Sequence, residues 1–263
     1  MTIDFHTHCF PDKIAERALL KLSYVSGGLK YHTDATISGL KKSMAEENVD
    51  ASVVLNIATN EHQMRSVNDF AASINNEHDI FAFGSVFPAA KDVLCELERI
   101  KSLGLKGVKF HPEYQGFYVD DEMMKPIYKK ISKLGLITVF HAGVDYGFAP
   151  PFHCMPENLQ NALKWFDSPV VAAHWGGLSC SDRVIKLLCG QDLYIDTSFG
   201  YGQLPRASAM KIIEKHGIDK MLFATDSPWH TASLERRFLN TLELTDSEMQ
   251  AVCSGNAKKL LGI

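Results

Sequence analysis

Short runs of apolar and β-branched residues recur along the chain, separated by stretches with apolar residues at helical spacing. The segments "VLCELERIKSLG", "EMMKPIYKKISKLG" and "ASAMKIIEKHG" predict amphipathic helices that end at glycine. Eight apolar runs predict strands. They cover residues 2–6, 51–57, 80–87, 106–111, 136–141, 169–174, 192–198 and 220–226.

Regular alternation of strand and helix is typical of an α/β fold with parallel strands. Eight such units in 263 residues predict a single (β/α)8 TIM barrel, and we expect one domain over 1–263. An open doubly wound sheet is the alternative, but its G-x-G-x-x-G turn after the first strand is absent. The segment from Cys9 to about Ile37 is too long for a tight loop and predicts an irregular or helical insertion after strand 1.

Composition and charge narrow the expected partners. Hydrophobic residues make up 46% of the chain and the formal net charge is -4 with no long basic run, so we expect no nucleic-acid partner. No apolar stretch approaches a membrane span, and Asp4 and His6 interrupt the region where a signal peptide is apolar. We expect a cytoplasmic protein without membrane contact that acts on a small-molecule substrate. A homodimer is favoured only because closed pairs are the commonest assembly.

The six cysteines are scattered and include no C-x-x-C pair, which favours reduced, buried thiols. Cys9 is the exception, because it stands beside two histidines in "MTIDFHTHCFPD" and is either reactive or able to perturb a metal site there.

The first strand places potential metal ligands on one face. Alternation along a strand puts Asp4, His6 and His8 on the same side. Three further predicted strands end on a residue type that binds metals, namely His141, His174 and Asp226. Because a barrel active site is built from the carboxyl ends of the strands, we expect these side chains to gather at one rim.

Imidazoles with one carboxylate suit zinc, and also iron or manganese, better than calcium or magnesium. We therefore predict one divalent ion per chain, with Zn²⁺ as first choice and two ions as the alternative. Such an ion activates water for hydrolysis at neutral pH.

The chain also resembles a known family through an ordered set of motifs: "DFHTHCFP", "GVKFHPEYQGF", "FHAG", "AAHWGG", "DTS", "FATDSP" and "NAKKLLGI". These are similar to motifs of the amidohydrolase superfamily, in its amidohydrolase-related (family 2) branch of metal-dependent TIM-barrel enzymes. The resemblance implies a hydrolase, a lactonase or a decarboxylase of aromatic acids. It implies metal ligands at His6, His8, His141 and Asp226. It also implies that Asp226 moves a proton, and that His174 acts on water or substrate or binds a second ion.

Lys109 and His111 lie on one side of the fourth predicted strand. In two-metal members of the family, a lysine at this place is carboxylated and bridges the ions. The alternative is a lysine that pairs with a substrate carboxylate or a nearby acid. We expect one metal, with Lys109, His111 and His174 as possible second-metal or substrate ligands.

Six further side chains fall in loops where they are predicted to contact substrate, although most of them also suit simple packing. They are Trp175, Trp229, Tyr114, Tyr201, His153 and Arg206. Arg206 would grip a substrate carboxylate or simply begin a helix after Pro205.

The leading functional prediction is a metal-dependent hydrolase of a small amide, ester or lactone that uses metal-activated water. The alternative is a non-oxidative metal-dependent decarboxylase, a lyase, of a small aromatic acid. A nuclease or phosphoesterase is disfavoured by the negative net charge. A binding protein without catalysis would hold a metal with no open coordination position.

Overall fold

A computed structural model describes all 263 residues and contains eight strands, one for each predicted run. The first strand has the predicted length but is shifted by one residue, and the other seven are shorter than predicted because residues at one or both ends belong to loops. They are β1 (Ile3–Thr7), β2 (Ala51–Leu55), β3 (Ile80–Phe83), β4 (Gly107–Phe110), β5 (Ile137–Phe140), β6 (Val170–Ala172), β7 (Tyr194–Asp196) and β8 (Met221–Leu222).

Every strand pairs in parallel with its neighbour in sequence, in the orders β1-β2-β3 and β4-β5-β6-β7-β8. Backbone hydrogen bonds join the two sheets at both edges. Gly84 N–H donates to Gly107 O at 2.9 Å, and Phe5 N–H donates to Phe223 O at 2.8 Å. The strands therefore surround a common interior, and the prediction of a (β/α)8 TIM barrel is confirmed.

Helices connect the strands, as the spacing predicted. The three quoted amphipathic segments form the helices Val93–Ser102, Lys125–Leu134 and Arg206–His216, and the second of these ends where Gly135 adopts a left-handed conformation. The helices are α1 (Asp12–Val25), α2 (Ile37–Glu46), α3 (Glu61–Ile74), α4 (Val93–Ser102), α5 (Pro112–Gln115), α6 (Lys125–Leu134), α7 (Pro156–Leu163), α8 (Ser181–Leu187), α9 (Arg206–His216), α10 (Ala232–Leu239), α11 (Asp246–Gln250) and α12 (Asn256–Leu261). Short 3₁₀ turns cover Glu122–Met124 and Ile218–Lys220, and a π-helical turn covers Ala251–Gly255.

The predicted insertion after strand 1 is present and is partly helical. It consists of α1 and an irregular segment that leads to α2. The side chain of Thr36 caps α2 by accepting a hydrogen bond from Gly39 N–H.

The barrel strands bury apolar side chains on both faces, as parallel strands between helices do. One cluster fills the barrel interior, where Ala257 and Leu261 of α12 join it. Its strand residues are Ile3, Phe5, Ala51, Val53, Leu55, Phe81, Phe83, Ile137, Val139, Val171 and Leu222. A larger cluster packs the strands against the helices. No helix combines the length and apolar character needed to cross a membrane.

Candidate active site

The side chains predicted to carry the chemistry lie at or just beyond the carboxyl ends of the strands. Barrel closure places the first and last strands side by side, since Asp226 N–H donates to His6 O at 2.8 Å and His8 N–H donates to Ser227 O at 2.7 Å. Residues more than 200 positions apart in sequence therefore share one rim.

His6, His8 and Asp226 form a tight triangle of hydrogen-bond acceptors. The two Nε2 atoms are 3.2 Å apart, and they lie 3.1 and 3.0 Å from Asp226 Oδ1. His6 Nδ1–H donates to Asp196 Oδ2 at 2.8 Å and His8 Nδ1–H donates to Leu55 O at 2.7 Å. In each neutral ring, Nε2 consequently carries a lone pair and no proton. Three acceptors that face one another at this spacing fit a divalent cation.

Asp4 does not join this triangle, although strand alternation predicted a shared face. Its carboxylate instead accepts hydrogen bonds from Thr225 Oγ1 at 2.6 Å and from Thr225 N–H at 3.0 Å. The pairing of β1 with β2 shifts register between Asp4 and Thr7, and this irregularity breaks the alternation that the prediction assumed.

His174 and His141 belong to two different groups of potential ligand atoms. His174 groups with His6 and Asp226, with one potential ligand atom of each residue within 4.8 Å of the others. His141 groups with His111 and Asp145, and its Nδ1 lies 3.0 Å from His174 Nε2. Of these two histidines, His174 is the one that has a potential ligand atom grouped with His6 and Asp226.

Asp196 is a functional residue that the sequence reasoning missed. Its buried carboxylate accepts hydrogen bonds from His6 Nδ1–H at 2.8 Å and from Ser198 Oγ–H at 2.5 Å. Because the Ser198 proton points to Asp196, Ser198 Oγ accepts from His174 Nδ1–H at 2.8 Å. One carboxylate thus orients both histidines. The sequence feature that could have identified Asp196 is the "DTS" motif at the end of the seventh predicted strand, for which we predicted no role.

Lys109 is fully buried beside the triangle, with Nζ 3.2 Å from His6 Nε2. Burial lowers the pKa of Lys109 to about 8, although the carboxylates of Asp226 and Asp196 oppose the shift. A pKa near neutrality makes the uncharged amine accessible, which is the form able to react with carbon dioxide. Carboxylation of Lys109 stays a prediction.

A second polar cluster lies next to the triangle and consists of His111, Glu113, His141, Asp145 and His153. The His111 ring stacks on the His141 ring at a centroid distance of 4.2 Å, and His111 Nε2 lies 3.2 Å from Asp145 Oδ2. His111 Nδ1 lies 3.9 Å from Glu113 Oε2. Burial lowers the pKa of His111 and raises the pKa of Glu113. Neither Glu113 nor Asp145 was singled out from the sequence, since isolated acidic residues are common along any chain.

Asp226 of the triangle and the neighbouring His174 adopt left-handed backbone conformations that non-glycine residues rarely take. The φ angles of His174 and Asp226 are 58° and 62°. Such conformations carry a cost of about 1–2 kcal/mol per residue and are concentrated at functional sites.

Among the residues predicted to contact substrate, Tyr114 and His153 belong to the second cluster. The Tyr114 ring lies 4.4 Å from that of His111, and His153 N–H donates to Glu113 Oε1 at 2.7 Å. Trp229 is half-buried in the loop after β8, where its backbone N–H donates to Asp226 O at 3.0 Å.

The other three predicted contacts have partners within the protein. Trp175 is buried, and its Nε1–H donates to Thr197 O at 2.9 Å. The half-buried ring of Tyr201 lies under the guanidinium of Arg237. Arg206 is the first residue of α9, and its exposed side chain binds Thr241 O and Glu243. The structure thus places Arg206 at a helix start rather than against a substrate carboxylate.

Cys9 is buried next to His8, and burial raises the pKa of its thiol to about 12. Burial therefore disfavours the thiolate, which is the nucleophilic form, at neutral pH.

Comparison with known proteins identifies the family. The model of the family described as Amidohydrolase (Amidohydro_2) matches residues 3–263. The chain belongs to this amidohydrolase family. Among curated proteins, no sequence matches the chain significantly.

Solved structures with the same fold include several enzymes. The 5-carboxyvanillate decarboxylase of Sphingomonas paucimobilis is 17% identical with a TM-score of 0.74, and the match covers 100% of this chain and 99% of that one. A 2,6-dihydroxybenzoate decarboxylase complexed with 2,6-dihydroxybenzoate is 14% identical with a TM-score of 0.73, covering 100% and 99%. A dihydroxybenzoic acid decarboxylase of Polaromonas, with bound manganese and 2-nitroresorcinol, is 14% identical with a TM-score of 0.72, covering 99% and 96%. At these identities the likeness shows the barrel fold.

Proposed function

We propose that this amidohydrolase-family protein is a metal-dependent decarboxylase that releases carbon dioxide from a small aromatic acid without a redox cofactor. This reverses the order of our sequence-based predictions, in which a hydrolase came first. The observation that carries the metal dependence is the triangle of acceptors formed by His6, His8 and Asp226. The choice of reaction is supported by the three decarboxylases whose fold the chain shares.

His6, His8 and Asp226 would hold the ion, with His174 as a further ligand. A divalent ion bound there would act as a Lewis acid on the substrate's oxygen atoms. Burial lowers the pKa of His6 and of His174, which keeps both imidazoles in the neutral form that binds metals. Zinc was our first choice from the sequence, and manganese is the alternative because a structure of similar fold holds it.

A decarboxylation needs a proton for the carbon that loses carbon dioxide. His174 is unsuited to this task, because its Nδ1–H is committed to Ser198 and its Nε2 faces His141 Nδ1. Asp226 has no such competing bonds, and its side chain is 11% exposed, so water can reach it. We therefore assign to Asp226 the relay of a proton, taken up from solvent water, to that carbon.

Hydrolysis of a small amide, ester or lactone is the second candidate. The observation that favours it is Lys109 Nζ, 3.2 Å from His6 Nε2, at the place where two-metal hydrolases of the superfamily carry a carboxylated lysine. In that reaction Asp226 would take a proton from water instead of giving one to carbon.

The test is a panel of hydroxybenzoates and lactones, offered to enzyme reconstituted with Mn²⁺ or Zn²⁺. Carbon dioxide released from an aromatic acid supports the proposal, and acid released from a lactone supports the second candidate. Asp226→Asn should abolish either activity. Asp192→Asn is the matched control, because Asp192 is an exposed residue that precedes β7, at the opposite end of the strand from Ser198.

A further inference from the structure

Buried polar atoms without a hydrogen-bond partner are concentrated beside the triangle of acceptors formed by His6, His8 and Asp226. Seven buried side-chain nitrogen or oxygen atoms of the chain make no hydrogen bond within the protein. Four of them belong to the second polar cluster: His111 Nδ1, Glu113 Oε2, His141 Nε2 and His153 Nδ1. Since buried polar atoms are normally paired, this grouping points to a ligand.

Two of the four unpaired atoms are acceptors, namely His111 Nδ1 and Glu113 Oε2. His141 Nε2 is also unpaired, and the other ring nitrogen of His141 lies 3.0 Å from His174 Nε2. His111 directs Nε2 at Asp145 Oδ2, 3.2 Å away, which places its proton there and leaves Nδ1 without one. Glu113 Oε2 lies 3.9 Å from that Nδ1, too far for a hydrogen bond between them. A ligand for this cluster must therefore bring donors.

Flat rings border these acceptors. Tyr114 meets His111 edge to face at 4.4 Å, and Phe148 meets Tyr114 in the same way at 5.0 Å. Burial first, and then the carboxylates of Asp145 and Asp226, raise the pKa of the Tyr114 hydroxyl. The two clusters are contiguous, because His141 Nδ1 lies 3.0 Å from His174 Nε2 while the His141 ring stacks on that of His111.

A second metal ion is a poorer occupant than an organic donor. The His111 and His141 rings are stacked with 15° between their planes. Ring nitrogens donate their lone pairs within the ring plane, so two stacked rings direct these pairs side by side rather than toward one shared point.

We propose that His111, Glu113 and Asp145 form a recognition subsite for a hydroxyl or amino substituent on an aromatic substrate. This proposal rests on the proposed function in one respect, namely that the same substrate carries a carboxylate that binds at the metal site. It makes Glu113 and Asp145 specificity-determining residues.

The experiment is calorimetric titration of manganese-loaded enzyme with two matched pairs of probes. One pair is 2-hydroxybenzoate and 2-methoxybenzoate; the other, which lacks the carboxylate, is catechol and 1,2-dimethoxybenzene. We expect the hydroxyl compound of each pair to bind about 10-fold more tightly or better, because a methyl cap leaves the buried acceptors unpaired. Glu113→Gln and Asp145→Asn should reduce this preference to about 3-fold or less. The surface variants Glu98→Gln and Asp192→Asn should keep it.

The outcomes separate the subsite from the reaction. One outcome supports the subsite but contradicts the decarboxylase. In it, neither benzoate binds, catechol binds more tightly than 1,2-dimethoxybenzene in the wild type, and Glu113→Gln removes this difference. The subsite is overturned if neither pair shows a preference in the wild type, or if both variants keep it. It is also overturned if Asp145→Asn removes a second equivalent of manganese, since the cluster would then be a cation site.

Discussion

The Nδ1–H of His6 donates to the carboxylate of Asp196 at 2.8 Å, and both side chains are shielded from solvent. The same carboxylate accepts a hydrogen bond from Ser198, which in turn accepts one from His174. Asp196 therefore fixes the tautomers of two histidines of the candidate metal site at once.

We predict that Asp196→Asn lowers metal affinity about 10- to 100-fold, the usual effect of removing the partner of a metal-binding histidine. The amide lacks the negative charge that supports His6 and does not replace both acceptor oxygens. Competition with a chromophoric chelator measures the affinity. Ser198→Ala should have a smaller effect, because it leaves the bond to His6 intact. Equal affinity in the wild type and Asp196→Asn would show that the bond is only structural.

The loop after β5 requires glycine at position 143. Gly143 has a φ of +85°, and an added Cβ would lie 2.3 Å from Leu178 N. We predict that Gly143→Ala destabilises the fold by several times the effect of Gly202→Ala, whose φ is +74° but whose Cβ would meet nothing within 4 Å. The melting temperature of Gly202→Ala reports the strain of a positive φ alone, and that of Gly143→Ala reports the same strain together with the backbone clash. Similar melting temperatures would contradict the prediction.

His216 should make stability depend on pH, independently of the metal site. It is buried, with Nδ1 accepting from Gly190 N–H at 3.2 Å and Nε2–H donating to Leu193 O at 3.0 Å. Burial lowers the pKa of His216 below its ordinary value, although the bond to Leu193 opposes the shift. The unfolded chain therefore binds the proton more readily than the folded protein. The stabilisation is complete above the ordinary pKa, near 6.5, and is lost as the pH falls below it.

The measurement is urea unfolding of the wild type and His216→Gln at several values between about pH 7.5 and 5.5. The difference in unfolding free energy between the two proteins should shrink as the pH falls, because the variant has no imidazole to protonate. A difference that is constant over this range would mean that His216 does not titrate in it.

The sequence was sufficient for the barrel and for the rim on which its polar residues meet. Eight apolar runs separated by helical segments are compatible with few folds other than a barrel. Closure of the barrel places strand ends such as His6 and Asp226 together. It was not sufficient for the positions of individual rings. Whether His141 or His174 lies nearer to Asp226 depends on loop conformation after the strand, and His174 adopts a left-handed conformation that no local pattern indicated.

Residues that act through others were also hidden from the sequence. Asp196 gains its role from contacts with His6 and Ser198, one of which is 190 positions away. Arg206 shows the converse case, since a residue able to bind a carboxylate pairs with Glu243 on the surface. Both outcomes depend on long-range contacts that hydrophobic periodicity does not encode.

The most direct test of the central claim, that His6, His8 and Asp226 hold a catalytic cation, is metal content per chain by elemental analysis. After reconstitution with Mn²⁺ or Zn²⁺ and removal of free ions, we predict about one ion in the wild type and in Asp192→Asn. His8→Ala and Asp226→Asn, verified as folded by circular dichroism, should retain less than about a tenth of that amount. A wild type that binds no ion, or a His8→Ala variant with wild-type content, would contradict the account.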